Sequence, residues 1–398
     1  MNLEDRIQEI RSDFPITHYR IFLDNCAISP ISNPVVSAMQ GYLETRKLYP
    51  LKGVMEQHIV WDGQVKAART EAAKLINANE DEIAFTVNTT QGIATAASVI
   101  DWKKGDNVIL NDLEFPGNVM PWMYWRKKGV ETRFVKNVEG RIQISDIESQ
   151  IDENTRVIAI SWVQWTNGFK SNLRELSSLA DQHDILLFVD GVQGVGAIKL
   201  DVKSTGIHMM STGGHKWLCA PYGSGFLYCR QDLIERYETP YVGARSPKPS
   251  PHGLRAYEQE DLDNFEYCNK GIRTNAQRFE NPGSPIAPSM YGFSAALKYI
   301  NDLGSENIES RVIQLTNHLI DLLEKNRFTV VTPKESGNRS GIVSFKGNHK
   351  LVEYLLTKNI VVSMRYTGGQ GGVRISPHFY NTFEEIEKLV NEAKLWRD

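Results

Sequence analysis

The 398-residue chain has few cysteines, and none of them belongs to a metal or redox motif. The four cysteines show no CxxC pair or other metal-ligand spacing: Cys26, Cys219, Cys229 and Cys268. We therefore expect no metal site and no disulfide framework. Unpaired cysteines are typical of a reducing compartment, so we expect a cytoplasmic protein.

The sequence also lacks a membrane-length apolar run and a large excess of one charge. No apolar stretch approaches the length that spans a bilayer, and residues 1–14 alternate charged and apolar residues at helical spacing, unlike a signal peptide. The formal net charge is −3, with 23% charged and 41% hydrophobic residues. These values are ordinary for a globular protein and indicate neither a nucleic-acid nor a membrane partner.

One stretch in the middle of the chain carries the clearest chemical signal. The apolar run 185–189 stops at Asp190, which is typical of a strand buried on both faces of a parallel sheet. Asp190 would then lie at the carboxyl end of a strand, where open α/β sheets bind ligands. Lys216 follows Gly213, Gly214 and His215. An aldehyde cofactor needs a lysine for its Schiff base and an acid to keep its pyridinium nitrogen protonated.

Together these residues resemble the pyridoxal-phosphate (PLP) site of the class V aminotransferase family, which includes cysteine desulfurases, selenocysteine lyases, kynureninases and isopenicillin N epimerase. The resemblance extends from about Phe22 to the C-terminus. It implies PLP as cofactor, with Lys216 and Asp190 as catalytic residues. A strand-ending aspartate can also be a helix cap, and a single lysine a surface charge. The combined pattern favours the cofactor site.

A second segment, residues 83–98, predicts the phosphate end of that site. A strand over 83–87 leads into Thr90 and Gln91 and then an alanine-rich helix. Helix N-termini present free N–H groups and partial positive charge, which suit a phosphate. An ordinary N-cap would also explain these residues. The resemblance favours phosphate binding by Thr90 and Gln91.

The resemblance also implies which residues surround the cofactor ring. Phe115 stands where desulfurases of the family carry a histidine, so it can stack on the ring but cannot carry a proton. Gln193 would hydrogen-bond the ring's 3-oxygen, and His215 would contact the phosphate. Relatives often have a serine at the position of Gly213, and a hydroxyl from Ser211 or Thr212 is an alternative donor.

Substrate-binding residues are implied in three places. Arg374, in the closing motif RISPHFYNT, would grip the α-carboxylate, which suits its bidentate, permanently charged fork. Asn25 belongs to the LDNCA stretch along the active-site wall, where Cys26 is more simply a small buried thiol than a catalytic one. Trp165 makes the pocket wall apolar, which counts against cysteine as substrate.

Three further features bear on assembly, substrate recognition and reaction type. Ser284, in RFE…GSP, would reach the phosphate of a neighbouring subunit, so a homodimer with shared active sites is implied. The loop 243–275, with Arg245, Arg255 and Tyr257, is a substrate-recognition loop or simply a solvated one.

Desulfurases place a cysteine between the positions of Val362 and Arg374, and this chain has none there. Persulfide chemistry needs a thiolate, so a standard desulfurase is not expected.

The strand pattern predicts an α/β fold with a small C-terminal α/β domain, and the resemblance implies PLP fold type I, with a mostly parallel sheet between helices. We expect residues 1–20 to form a helical segment packed on the small domain, residues 21–287 the large PLP-binding domain, and residues 288–398 the small domain.

The predicted function is a PLP-dependent enzyme that removes the α-proton of a small-molecule amino acid, with aminotransferase activity favoured. A C–S or C–Se lyase, a desulfurase-like enzyme without the cysteine loop and an epimerase are the enzymatic alternatives. A PLP-binding sensor or carrier is the non-enzymatic one.

Overall fold

The strands and helices below come from a computed structural model, which describes residues 3–48, 53–248, 271–283 and 286–397. The strands are β1 (Ile21–Phe22), β2 (Ile83–Thr86), β3 (Asn107–Asn111), β4 (Glu131–Val135), β5 (Thr155–Ser161), β6 (Leu186–Asp190), β7 (Met209–Gly213), β8 (Gly225–Cys229), β9 (Val343–Phe345), β10 (Ile360–Val361), β11 (Ser363–Thr367) and β12 (Gln370–Ile375). The helices are α1 (Ile7–Ser12), α2 (Asn33–Lys47), α3 (Val54–Ile76), α4 (Thr89–Ser98), α5 (Met120–Met123), α6 (Ile144–Glu148), α7 (Leu173–Gln182), α8 (Val202–Thr205), α9 (Gln231–Ile234), α10 (Ala287–Leu303), α11 (Ser305–Lys325), α12 (His349–Thr357) and α13 (Phe383–Arg397).

Seven of these strands form one sheet in the order β2-β8-β7-β6-β5-β3-β4. Only β8 runs against the others, because it pairs antiparallel with both β2 and β7 while the remaining pairs are parallel. The carboxyl ends of β2, β3, β5, β6 and β7 therefore lie along one edge. The expected mostly parallel α/β fold is confirmed.

Alternating side chains of each central strand enter the apolar cores on the two faces of this sheet. In β6, Leu187 and Val189 belong to one core, and Leu186 and Phe188 to the other. A strand covered on both faces has no solvent side, which is why its sequence is continuously apolar. The apolar run therefore ends only where the strand leaves the cores, at Asp190.

The C-terminal region has a smaller sheet and its own core. Its sheet has the order β11-β12-β9, and β10 pairs in parallel with β1 near the N-terminus. Leu23 joins this core beside residues of α11, α12 and α13. Near the N-terminus, Arg11 forms an ion pair with Glu385 at 2.9 Å. The boundaries 1–20, 21–287 and 288–398 stay predictions.

Local predictions met different outcomes. The sequence also predicts a strand over 107–111, which matches β3, while the predicted strand over 185–189 is displaced by one residue from β6. The helical spacing of Val65, Ala68, Ala72 and Leu75 predicts a helix over 64–76, and this helix begins earlier, at Val54. The sequence further predicts a strand over 328–331, and this prediction is wrong: Val330 forms only an isolated bridge with Phe345. Pro333 follows shortly and lacks the N–H that a longer ladder would need.

Within the ranges given above, no helix combines the length and the apolar character that a membrane crossing requires.

Candidate active site

A cavity of about 320 Å³ lies at the edge where the parallel strands end. Ligand sites of open α/β sheets occur in this position, because the loops after adjacent strands meet there. The cavity is lined by Cys26, Ala27, Asn88, Thr89, Thr90, Phe115, Gly117, Trp165, Asp190, Val192, Gln193, His215, Lys216, Arg365 and Arg374.

Lys216 and Asp190 face this cavity together. Asp190 ends β6, and its Oδ1 accepts a hydrogen bond from the Val192 N–H at 3.0 Å. Burial raises the pKa of Asp190 to about 7, and the positive charge of Lys216 opposes that rise. Burial lowers the pKa of Lys216, and the Asp190 charge opposes that change. Both groups are therefore poised to exchange protons nearer neutrality than in water.

The N-terminus of α4 forms another part of the wall. Asn88 caps this helix by accepting a hydrogen bond from Gln91 N at 2.8 Å. The first-turn N–H groups of Thr89 and Thr90 have no intrahelical acceptor, and their residues line the cavity. A side chain on residue 213 would meet Thr89 Oγ1 at 2.9 Å. Thr89 thus supplies a hydroxyl beside the position where relatives carry a serine.

Neither hydroxyl named as an alternative to that serine lines the cavity. Ser211 Oγ donates a hydrogen bond to Thr89 O at 2.9 Å. Thr212 is buried, and its hydroxyl has no partner among the described residues.

Two aromatic rings form the apolar part of the cavity. Phe115 and Trp165 meet edge to face, with ring centroids 5.3 Å apart. Lys216 Nζ lies 5.7 Å from the Phe115 centroid. A flat ring held between Phe115 and the sheet edge would be within reach of the amine.

Gln193 and His215 complete the wall. Gln193 is held at both ends, since Nε2 donates to Cys26 O and Oε1 accepts from Trp217 Nε1, each at 3.0 Å. Its second amide hydrogen is left for a ligand. His215 stacks on Tyr222 with centroids 5.0 Å apart. Burial, helped by the Lys216 charge, lowers the pKa of His215 to about 4, so it is neutral at pH 7.

Arg374 is buried and already partly neutralised. Its Nη1 donates to Trp165 O at 2.8 Å, and its Nη2 lies 3.2 Å from Asp24 Oδ1 and 3.1 Å from Ser363 Oγ. Its Nε–H has no partner among the described residues. One donor direction of the fork therefore remains for a ligand.

The hairpin that carries Arg374 is short. β11 and β12 pair antiparallel from Ser363↔Arg374 to Thr367↔Gln370, which leaves two residues at the tip. These are Gly368 and Gly369, with φ of +53° and +75°. Two successive positive φ angles are typical of a tight type I′ turn, which glycine adopts without strain.

Comparison with known proteins agrees with this geometry. The family model described as aminotransferase class V matches residues 21–389. The chain belongs to the class V aminotransferase family. A probable cysteine desulfurase of Pyrococcus abyssi is 27% identical over 96% of this chain and 96% of its own.

Solved structures resemble this class V chain over nearly its full length. The apo cysteine desulfurase of Thermococcus onnurineus has a TM-score of 0.84 and 25% identity, covering 98% of this chain and 97% of its own. A mutant of C-DES with glycine covalently linked to its PLP cofactor has a TM-score of 0.83 and 22% identity, covering 96% of this chain and 98% of its own. The same protein is described elsewhere as a cystine C–S lyase. The class V chain is a PLP-dependent enzyme.

The residues of this class V chain fit PLP on their own evidence. Lys216 Nζ donates no hydrogen bond to any described residue, although it lies in the cavity. The unpaired N–H groups of α4 suit a phosphate, and Asp190 ends a strand facing the same space. The cavity therefore offers an amine, an anion site and a carboxylate along one wall.

Eight of the eleven predicted site residues of the class V chain line this cavity, and two described ones, Asn25 and Gln91, do not. Asn25 is fully buried: it donates to Ser376 O at 2.8 Å and accepts from Ser29 and Tyr380. Gln91 accepts a hydrogen bond from Val87 N at 2.7 Å, which stabilises the turn before α4. Ser284 lies outside the described residues. Their predicted contacts with cofactor or substrate stay predictions.

The described cysteines of the class V chain are free and buried, and Cys268 lies outside the described residues. Cys26 lines the cavity, where burial raises its pKa to about 11. A thiol with this pKa is not a ready nucleophile at neutral pH.

Sequence reasoning missed Thr89 and Arg365, which both line the cavity. The alternation of strand residues offered a signal for Arg365. It is two residues beyond Ser363, and a hairpin folded at Gly368-Gly369 places it on the same face as Arg374.

Proposed function

We propose that the chain is an amino-acid aminotransferase in which Lys216 carries the α-proton. The observation that carries this proposal is the set of proton-transfer groups in the cavity. His215 has a pKa of about 4 and Cys26 a pKa of about 11, whereas the pKa of Lys216 is lowered from its usual value toward neutrality. Asp190, with a pKa of about 7, is assigned to the ring nitrogen of the cofactor. Lys216 is then the group among the described lining residues that can take the α-proton and return it.

PLP supplies an aldehyde that captures the substrate's amino group and a ring that accepts the electron pair left at the α-carbon. Arg374 orients the substrate by binding its carboxylate through the free side of its fork. Asp190 accepts a hydrogen bond from the protonated ring nitrogen. Thr89 and Thr90 would hold the phosphate at the start of α4, and Phe115 would cover one ring face. Together these contacts would place the substrate's α-carbon within reach of Lys216 Nζ.

A single proton carrier is sufficient for transamination. With PLP bound, Lys216 Nζ would take the proton from the substrate's α-carbon and hold it. Transamination needs that proton returned to the cofactor, whereas epimerisation needs it returned to the α-carbon. Expulsion of a poor leaving group would additionally need an acid that protonates it. The ring of Phe115 has no acidic proton, and the indole N–H of Trp165 is a hydrogen-bond donor but not an acid at neutral pH.

A C–S lyase is the second candidate function. Two of the similar proteins are called cysteine desulfurases and a third a cystine C–S lyase. A good leaving group such as a persulfide departs without protonation, so the apolar wall does not exclude this reaction. The two-residue hairpin tip, which has no cysteine, disfavours a desulfurase that relies on a hairpin thiolate.

We further propose that the enzyme is a cytoplasmic homodimer.

The visible spectrum of the PLP-loaded enzyme, followed with a panel of amino acids, tests these reactions. Transamination predicts conversion of the cofactor to its amine form with release of a 2-oxo acid. Release of pyruvate with a sulfur product would instead assign the lyase, and racemised substrate an epimerase. Borohydride should fix the cofactor on Lys216, and labelling of another lysine would overturn the site assignment.

A further inference from the structure

The cavity contains a second guanidinium group, that of Arg365. This residue lies in β11, where it pairs with Gly372, and its side chain is half-buried and lines the cavity. Its Nη1 donates to Met364 O at 2.7 Å. The proposed roles above do not use it.

The hairpin register places the two arginines side by side. Ser363 is opposite Arg374, and Arg365 is opposite Gly372, so both arginines belong to the same face. They are diagonal neighbours across the two strands. Such pairs lie roughly 7–8 Å apart, within reach of long side chains. Both side chains line the same cavity, so their guanidinium groups can bind the two ends of one small dianion.

The charges of the cavity are unequally compensated. Arg374 pairs with Asp24 at 3.2 Å, and Lys216 interacts with the charge of Asp190. Among the described residues, Arg365 has a backbone carbonyl as its hydrogen-bond acceptor but no carboxylate within ion-pair distance. An unpaired cation in a partly buried cavity is costly unless a ligand supplies the counter-charge.

We infer that the substrate is an α-amino acid with a second anionic group on its side chain, and that Arg365 binds this group. The inference rests on the proposed function, because it takes the α-carboxylate to be held by Arg374. A planar guanidinium binds carboxylate, sulfonate and phosphate oxygens through the same paired N–H bonds. Arg365 is therefore a specificity-determining residue.

Arg365→Gln is the decisive variant. We expect kcat/KM of the PLP-loaded enzyme for the preferred acidic amino acid to fall about 10- to 100-fold, the range for loss of a charge-assisted hydrogen bond. Alanine and methionine should change by less than about threefold, since they make no distal ionic contact. Aspartate, glutamate, cysteate and phosphoserine tested in parallel distinguish the three anionic groups and two chain lengths.

Arg339→Gln is the matched control. Arg339 is also half-buried and also donates to a backbone carbonyl, that of Lys334 at 2.9 Å, but it lies outside the cavity. It should leave the preference for acidic substrates unchanged. Arg365→Lys retains the charge without the fork and should keep part of that preference.

Binding without turnover provides a second readout. Succinate and maleate lack an amino group, so they should raise the unfolding temperature of the wild-type holoprotein more than butyrate does at equal concentration. Arg365→Gln should abolish this difference and leave PLP affinity unchanged.

Three results would overturn the inference. The first is equal reaction of the wild-type enzyme with acidic and neutral amino acids. The second is an equal loss for all substrates in Arg365→Gln, which would make Arg365 the α-carboxylate ligand. A loss of PLP affinity in Arg365→Gln would make it a phosphate ligand. If no amino acid changes the wild-type spectrum, the proposed function fails instead.

Discussion

Asp24 is predicted to be the partner that makes a buried Arg374 tolerable. The Arg374 side chain is 2% exposed and that of Asp24 is 14% exposed, with their N and O atoms 3.2 Å apart. Ser363 Oγ donates to Asp24 Oδ1 at 2.7 Å and accepts from Arg374, so the three side chains form one network. Asp24→Asn removes the negative charge and keeps the shape.

The expected cost follows from burial. Breaking a buried ion pair by removing one partner destabilises a protein by about 3–5 kcal/mol, because the remaining charge is left without compensation. Asp24 retains some contact with solvent, so we expect about 3 kcal/mol, the lower end of that range. Asp24→Asn combined with Arg374→Met removes both charges and should recover most of this loss.

A surface pair provides the control. Lys298 and Asp302 are 2.8 Å apart, closer than the buried pair, but their side chains are 64% and 58% exposed. Asp302→Asn should leave the urea midpoint nearly unchanged, since water screens exposed pairs at this helical spacing.

Urea unfolding of the cofactor-free variants measures these differences without a contribution from PLP binding. The reasoning would be refuted if Asp24→Asn cost no more than Asp302→Asn. It would also be refuted if the double variant were no more stable than Asp24→Asn alone.

Two other predictions concern the cofactor wall. The pKa of Asp190 is raised to about 7 in the folded chain, whereas an unfolded aspartate has a pKa of about 3.9. The folded apoprotein therefore holds this proton more tightly, and its stability should fall as pH rises from about 4 to 7. Asp190→Asn should remove this decrease of the urea midpoint between pH 4 and 7. If the midpoint of the variant fell with pH as steeply as that of the wild type, Asp190 would not be the titrating group. Phe115→Ala should weaken PLP binding about 2- to 10-fold in an equilibrium titration, through loss of the ring contact; unchanged affinity would show that Phe115 does not stack on the cofactor.

Parts of the site were predictable because local sequence encodes them. The continuous apolar run before Asp190 predicts a strand covered on both faces, and such strands end at the ligand-binding edge of a parallel sheet. The same reasoning placed Thr90 at the start of a helix after β2. These inferences depend only on chain neighbours, so no tertiary information was needed.

Other features depended on packing between distant segments. Asn25 lies in a stretch that resembles an active-site wall, yet its amide is bonded to Ser376, Ser29 and Tyr380. The bonds to Ser376 and Tyr380 come from a segment some 350 residues later in the chain. Thr89 likewise fills space beside Gly213 only because α4 packs against the end of β7. A sequence read locally contains no record of such contacts.

The sequence by itself determined the fold class, the strand that ends at Asp190, the lysine that follows it and the absence of a cysteine before Arg374. The fold class rests on the buried-strand pattern together with the resemblance to the class V family, and the other three depend on residue type or periodicity along one segment. The tertiary structure alone decided which charges meet: Asp24 compensates Arg374, whereas Arg365 enters the same cavity with no described carboxylate beside it. The physical reason is that electrostatic compensation depends on distance and burial in space, and the hairpin register and the β1–β10 pairing bring these residues together from segments that are far apart in the chain.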